Sequence, residues 1–134
     1  MEKGKSSQLE EQARGLVKEG KFQEAIALFQ EACEIDSCNS HAWTNLGVVI
    51  YDSRGDPEKA IQALKKAVGL DPGNMLAWRG LGLVLQFMKK DHDGAVECYE
   101  KCLAIDPGNV EIRQLLKTAR ANAIVDLYHF LDLR

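Results

Sequence analysis

Apolar and small residues recur along this chain with a helical period, and the pattern itself recurs after 35 positions. The motif Trp-x-x-Leu-Gly occurs at 43–47 and again, 35 residues later, at 78–82. The spacing i, i+3, i+4, i+7, which marks one face of a helix, is formed by Trp43, Leu46, Gly47 and Ile50. A fixed period of this size predicts a repeat architecture, in which stacked units of helices share one continuous core.

Each repeat unit is predicted to contain two helices separated by a break. In residues 40–74 a Gly-Asp-Pro segment interrupts the apolar period, where Asp56 is a good N-cap and Pro57 suits the first helical position. The second helix ends at the Asp-Pro-Gly of 71–73, and Asn74 can cap the helix that follows. The unit is therefore a helix pair bounded by turn residues.

Three such units can be aligned. Residues 40–74 and 75–109 align without a gap, and the second half of the unit also occurs upstream, which places a first unit at 6–39. The predicted organisation is one domain with a polar N-terminal tail at 1–5, units at 6–39, 40–74 and 75–109, and a long C-terminal capping helix at 110–134.

The succession of Trp-x-x-Leu-Gly, an alanine followed four positions later by an aromatic residue or leucine, and Asp-Pro resembles the tetratricopeptide repeat. The resemblance covers residues 6–109 and implies an all-α fold, a right-handed α-solenoid of three antiparallel helix pairs with about seven helices. Two units have 35 residues instead of the usual 34. We expect the extra residue between Gly47 and Gly55 and between Gly82 and Lys90, at the end of the first helix or in its turn.

The C-terminal segment is predicted to form one helix from Val110 to about Leu131, since it contains neither glycine nor proline. The last helix of such an array usually has a polar outer side, but eight of the eleven residues of 123–133 are apolar. The apolar surface of this end must be buried, and three ways of burying it remain open. The chain could fold back on itself, the helix could self-associate, or it could dock onto another part of the protein or a partner. The candidate self-association residues are Ile124, Leu127, Tyr128, Phe130 and Leu131.

Composition narrows the class of partner. The 134 residues carry a formal net charge of -3, which disfavours wrapping of a nucleic-acid backbone. No apolar run approaches the roughly 18–20 residues of a membrane span, and the N-terminus lacks the apolar core of a signal peptide. We therefore expect a cytoplasmic protein that binds neither nucleic acid nor membranes.

The sequence contains no recognisable catalytic or cofactor motif. His41, His92 and His129 fall in three separate elements, and no phosphate-binding loop or nucleophile elbow is present. Cys98 and Cys102 lie four apart, a spacing that could supply two metal ligands on a helix, but the other ligands would have to come from the far end of the chain. We expect no enzymatic activity, no cofactor, no metal and free thiols.

The expected function is that of a non-catalytic protein-protein interaction module or scaffold. The resemblance implies that the first helices line a concave groove, which would hold a peptide or a protein segment. Two alternatives remain, a homo-oligomeric assembly element that uses the apolar end of the C-terminal helix, and the recruiting arm of a larger enzyme. The predicted groove residues are Glu10, Arg14, His41, Thr44, Asn45, Val48, Tyr51, Leu76, Arg79, Leu83 and Gln86.

One functional subtype of the family is disfavoured. Domains that hold the acidic C-termini of heat-shock chaperones use a carboxylate clamp of Lys, Asn and Arg side chains. At the corresponding positions this chain has Glu10, Arg14, Asn45, Leu76 and Gly80, of which only Asn45 matches. Glu10 would repel a carboxylate, and Leu76 and Gly80 offer it no donor, although Arg14 and Arg79 could still attract an acidic ligand in another geometry.

Overall fold

The computed structural model describes residues 2–131 as seven α-helices, and no strand occurs between these limits. The helices are α1 (Glu2–Lys18), α2 (Phe22–Ile35), α3 (Ser40–Asp52), α4 (Pro57–Leu70), α5 (Met75–Leu83), α6 (His92–Ile105) and α7 (Val110–Phe130), and a single π-helical turn (Val84–Met88, the π-turn) directly extends α5. The predicted all-α architecture is confirmed. Within the predicted polar tail at 1–5, however, α1 already begins at Glu2. Met1 and the predicted end of the last segment, 132–134, lie outside the described residues.

The helices pair in sequence order and the pairs stack. Helix α1 packs on α2, α3 on α4 and α5 on α6, while α2 lies against α3, α4 against α5, and α7 covers α6. One buried cluster runs from Ala13 through Phe29 and Leu64 to Leu81, and a second joins Tyr99 to the inner side of α7. Each unit therefore buries the faces of its neighbours, as stacked repeats require.

Glycines allow the two helices of a unit to approach closely. A Cβ atom at Gly47 would lie 2.5 Å from Cγ of Leu64, and one at Gly82 would lie 2.5 Å from Cε1 of Tyr99. Carbon atoms in favourable contact are about 3.5–4.0 Å apart, so neither position has room for a side chain. The repeated glycine thus sets the distance between α3 and α4 and between α5 and α6.

The predicted caps are present. The Asp56 side chain accepts a hydrogen bond from the Glu58 amide with Pro57 at the start of α4, and the Asn74 side chain caps α5 through the Ala77 amide. The repeated tryptophans anchor the turns between units, because Trp78 Nε1 donates to the Pro72 carbonyl at 2.8 Å, six residues upstream. These contacts fix where each unit ends and the next begins.

Units two and three accommodate their extra residue differently. Two residues beyond the end of the first helix of each unit lies a residue with positive φ: Gly20 at 78°, Arg54 at 57° and Lys90 at 56°. Arg54 lies 34 residues after Gly20, so in unit two the extra residue is Gly55, in the turn. Lys90 lies 36 residues after Arg54, and here the π-turn absorbs the addition, with the Lys89 amide bonded to the Val84 carbonyl five positions back. The π-turn lies within the range that the sequence predicted, and Gly55 lies in the predicted turn, at the limit of its range.

The π-turn shifts the register of unit three by one residue. Before the π-turn, equivalent residues of units two and three are 35 apart, but at its end they are 36 apart. Gln86 therefore takes an inward place like that of buried Ile50, and Phe87 takes the place of Tyr51. This shift changes which side chains of unit three reach the surface.

Candidate functional site

The first helices carry most of the predicted groove residues at the surface. Eight of the eleven are exposed or half-buried: Arg14, His41, Asn45, Val48, Tyr51, Leu76, Arg79 and Leu83. The other three, Glu10, Thr44 and Gln86, are buried. Each of the buried residues is held by a hydrogen bond within the protein, so the candidate groove differs in part from the predicted one.

Thr44 belongs to a buried polar network between units two and three. Its hydroxyl donates to the Ser40 carbonyl at 2.9 Å and accepts from Asn74 Nδ2 at 3.0 Å. Asn74 Nδ2 also donates to Ser40 Oγ at 2.8 Å. The prediction that Thr44 lines the groove is therefore wrong, because its single hydroxyl is already used in joining α3 to the cap of α5.

Gln86 is also interior, as a consequence of the π-turn. Its Oε1 accepts a 2.7 Å hydrogen bond from the Tyr99 hydroxyl, and its Nε2 is buried without a partner among the described residues. The prediction that Gln86 lines the groove is wrong, since a gapless period of 35 residues misplaces the end of this helix. Placing the extra residue before Gln86 would have identified Phe87, which is 46% exposed, as the surface residue.

Glu10 and Asn45 meet at the floor between α1 and α3. The buried Glu10 carboxylate accepts a hydrogen bond from Asn45 Nδ2 at 3.2 Å. Glu10 is therefore a floor residue rather than an exposed ligand contact, which corrects the prediction. The Asn45 side chain is half-buried at the surface, and its amide oxygen is not used in this hydrogen bond.

Arg79 is engaged inside the array. Its Nε and Nη2 both lie 2.6 Å from Oε1 of Glu111, in the first turn of α7. This ion pair links α5 to α7 and neutralises the charge that Arg79 would present to a ligand. Arg14, by contrast, forms no ion pair within the described part of the chain, so its charge remains available at the surface of α1.

A cleft of about 240 Å³, called cleft 1, lies between α1 and α3. Its floor is apolar and its edges carry charged and amide groups, with the cations on the α1 side. The lining residues are Val17, Phe29, Val48 and Val49 on the floor, and Arg14, Lys18, Asn45 and Asp52 at the edges. A cleft of this composition suits one apolar side chain with a polar neighbour.

A second cleft of about 310 Å³, called cleft 2, lies between the end of α3 and the π-turn. Two aromatic rings, a thioether and two charged groups line it: Tyr51, Phe87, Met88, Asp52 and Arg54. Asp52 borders both clefts, and partial burial raises the pKa of its carboxyl, which the positive charge of Arg79 partly opposes. The sequence did not indicate Lys18, Asp52, Phe87 or Met88 as groove residues.

The described residues offer no metal centre. No group of three or more His, Cys, Asp or Glu side chains in residues 2–131 is placed to hold an ion. Burial raises the pKa of Cys33 and Cys98 to about 12 and that of Cys102 to about 11, so these thiols stay protonated near neutral pH. None of the helices found between residues 2 and 131 has the length and apolar content of a membrane span.

Comparison with known proteins supports the architecture. The family profile described as Tetratricopeptide repeat matches residues 10–74 and 50–110. No curated protein matches this sequence. Among solved structures, the first TPR of Spaghetti (RPAP3) bound to the HSP90 peptide SRMEEVD is similar, with a TM-score of 0.85, 23% identity, and coverage of 90% of this chain and 94% of that chain.

Two further structures are similar over most of their length. The second TPR domain of human RPAP3, in complex with the HSP70 peptide SGPTIEEVD, has a TM-score of 0.83 and 22% identity, with 90% and 98% of the two chains covered. The Sgt2 TPR domain from Aspergillus fumigatus has a TM-score of 0.80 and 27% identity, with 88% and 78% covered.

Domains of this kind are in general non-catalytic modules for protein-protein interaction. With the matched residues covering both Trp-x-x-Leu-Gly motifs, this chain belongs to the tetratricopeptide repeat family.

Proposed function

We propose that this chain is a non-catalytic interaction module that holds an extended peptide segment in its concave groove, with one apolar side chain in each of clefts 1 and 2. The observation that carries the proposal is the apolar floor of cleft 1, open to the surface between two first helices. Two of the similar structures hold peptides, as their names state, which supports a peptide as the class of ligand.

The affinity follows from the size of the clefts. Burying a side chain as large as leucine contributes about 1.5–3 kcal/mol, so two filled clefts contribute roughly 3–6 kcal/mol. The entropic cost of ordering the peptide offsets part of this binding free energy, and hydrogen bonds to the peptide backbone and to the polar edges of the clefts add to it. We therefore expect weak binding of a short segment, with dissociation constants from about 10 µM to about 1 mM.

The charges at the edges of cleft 1 define the segment further. Arg14 and Lys18 lie one helical turn apart on α1, and neither forms an ion pair within residues 2–131. An acidic side chain next to the first apolar one would meet both cations. On the α3 side Asp52 would favour a hydrogen-bond donor of the ligand, because burial leaves this carboxylate incompletely solvated.

We further propose that the groove is not a carboxylate clamp. Glu10 places a carboxylate in the floor where a clamp needs a donor, and it is bonded to Asn45, the one matching residue. A Cβ atom at Gly80 would lie 3.2 Å from Leu64 and 3.5 Å from Val48, so a longer donor has little room there. Leu76 is exposed and has no polar group to offer.

The test selects ligands from a random peptide library displayed on phage and measures the affinity of the selected peptides by fluorescence anisotropy. Val48→Glu puts a charge into the floor of cleft 1 and should weaken binding about tenfold or more. Gln62→Glu, which adds the same charge on the exposed outer side of α4, should leave binding unchanged. Phe87→Ala should also weaken binding about tenfold through the loss of cleft 2.

The outcomes distinguish the parts of the proposal. Selected peptides that bind Val48→Glu as well as the parent protein would move the site away from cleft 1. The peptide SRMEEVD serves as the clamp probe, and we expect it to bind at least tenfold more weakly than the selected peptides. Comparable affinity for SRMEEVD, abolished by Asn45→Ala, would refute the exclusion of a clamp. The cytoplasmic location and the absence of nucleic-acid binding stay predictions from the sequence.

A further inference from the structure

Helix α7 changes character halfway along its length. The period of 35 residues places Arg113 and Lys117 of α7 where α5 has Trp78 and Gly82, and the one-residue shift of the π-turn places Arg120 where unit three has Gln86. In unit three those positions pack toward α6: Gly82 contacts Tyr99, Trp78 packs against the same cluster, and Gln86 accepts a hydrogen bond from the Tyr99 hydroxyl. In α7 the corresponding face is basic, so it cannot receive a second helix in the same way.

The basic half of α7 is tied to the array. Arg113 Nη2 donates to the Pro107 carbonyl at 2.6 Å, and Trp78 makes the same contact with Pro72 exactly one period earlier in the chain. Arg120 Nη2 bonds to Oε2 of Glu100 on α6 at 3.3 Å. This half therefore acts as the polar cap that closes a repeat array.

The other half of α7 carries an apolar stripe on the same face. Ile124, Leu127, Tyr128 and Leu131, the α7 stripe, follow i, i+3, i+4, i+7 spacing, and each is between 50% and 55% exposed. Asp126, on the inner side, lies 3.7 Å from Nε2 of His92 at the start of α6. One turn further Phe130 is 85% exposed, so the end of α7 extends past the third unit.

We propose that the α7 stripe pairs with the α7 stripe of a second copy of this chain, the two helices running antiparallel. Together with Phe130 the stripe presents on the order of 600 Å² of apolar surface, given that a large side chain buries about 150–250 Å² when covered. Two copies that covered this surface completely would bury at most about 1,200 Å², which is the lower limit of specific interfaces and fits a weak dimer. A stripe with this spacing fits its own copy, because such helices interlock at a small crossing angle.

The charges on α7 favour the antiparallel direction. When the two helices cross between Leu127 and Tyr128, Arg120 of each copy lies about 11 Å from the crossing along the axis, given a rise of about 1.5 Å per residue. The two Arg120 side chains are then about 22 Å apart, well beyond the Debye length of about 8 Å. Parallel pairing would instead set Lys117, which forms no ion pair within residues 2–131, against Lys117, and would bring the two Arg120–Glu100 pairs together.

The first experiment measures mass by sedimentation velocity and light scattering from about 1 to about 300 µM, a range chosen for an interface of this area. The parent protein should rise from 14.9 kDa toward twice that mass as its concentration increases. Leu127→Glu should remain monomeric throughout. Thr118→Glu, exposed on α7 outside the stripe, should behave like the parent, and circular dichroism confirms that both variants are folded.

The second experiment tests direction by oxidative cross-linking in a Cys38→Ser background, which removes the one exposed thiol. Tyr128→Cys, next to the crossing point, should form a linked dimer, and Lys117→Cys should not. Efficient linking of Lys117→Cys would overturn the antiparallel direction.

Other outcomes overturn the proposal itself. A parent protein that stays monomeric over the whole range has no such interface. A dimer that Leu127→Glu leaves intact uses another surface. A monomer that co-sediments with phosphatidylserine vesicles through the stripe has a lipid surface as its occupant instead. None of these results bears on peptide binding in clefts 1 and 2, so the two proposals can fail separately.

Discussion

Replacement of Gly82 by alanine tests whether the close approach of α5 and α6 is as tight as the contacts indicate. The new Cβ atom would lie 2.5 Å from Cε1 and 3.0 Å from Cδ1 of Tyr99. Tyr99 is fully buried, and its hydroxyl donates to Gln86 at 2.7 Å, so the ring cannot move about 1 Å to a normal contact distance without disturbing that hydrogen bond.

The size of the effect follows from three contributions. Overpacking a buried site costs about 1–3 kcal/mol, and weakening the Tyr99–Gln86 hydrogen bond costs about 1 kcal/mol. The better helix propensity of alanine recovers about 1 kcal/mol. We therefore expect Gly82→Ala to lower the free energy of unfolding by about 1–3 kcal/mol, which lowers Tm by about 4–12 °C in a chain of this length.

The assay is urea unfolding followed by circular dichroism, with Gly15→Ala as the matched control. Gly15 is inside α1, and a Cβ atom there would meet nothing within 4 Å. This substitution should stabilise the protein by about 0.5–1 kcal/mol. In a Tyr99→Leu background the cost of Gly82→Ala should largely disappear, because the ring that it meets is gone. If Gly82→Ala stabilises the parent protein as much as Gly15→Ala does, the reasoning is refuted.

Three further predictions concern the caps, the thiols and alkaline pH. Asn74→Ala removes the cap of α5 and the hydrogen bonds to Ser40 and Thr44, and should lower the free energy of urea unfolding by about 2–3 kcal/mol. Asn109→Ala, which removes a cap without such a network, should lower it by about 1 kcal/mol, and equal losses would show that the network adds nothing. Ellman's reagent should titrate one thiol of the native protein rapidly, the exposed Cys38, and all four only after unfolding; a second fast thiol would contradict the burial of the rest. Burial raises the pKa of the buried thiols from the ordinary 9.0 to between about 11 and about 12, so the folded state holds these protons more tightly than the unfolded state does. The free energy of unfolding should therefore fall as pH rises above 9.0, and a free energy that is constant up to pH 11 would contradict this.

Much of the surface of the candidate groove follows from the helical period. Arg14, Val48 and Tyr51 lie on the face that packing leaves free, and the structure places each of them at the surface. The failure at Gln86 has a definite cause. The sequence showed that unit three has one residue too many, but not that the helix itself absorbs it, and one residue turns a helix position by about 100°. Phe87 therefore replaces Gln86 at the surface.

The repeat, the helix pairs and their caps follow from the sequence alone. These features are local or periodic, because every unit must bury the same faces of its helices against its neighbours. The roles of individual polar side chains depend instead on tertiary contacts. Thr44 and Glu10 are interior because partners from neighbouring elements, Asn74 and Asn45, reach them there. A polar side chain at a boundary position is buried or exposed according to which partner meets it, and that partner is distant in sequence.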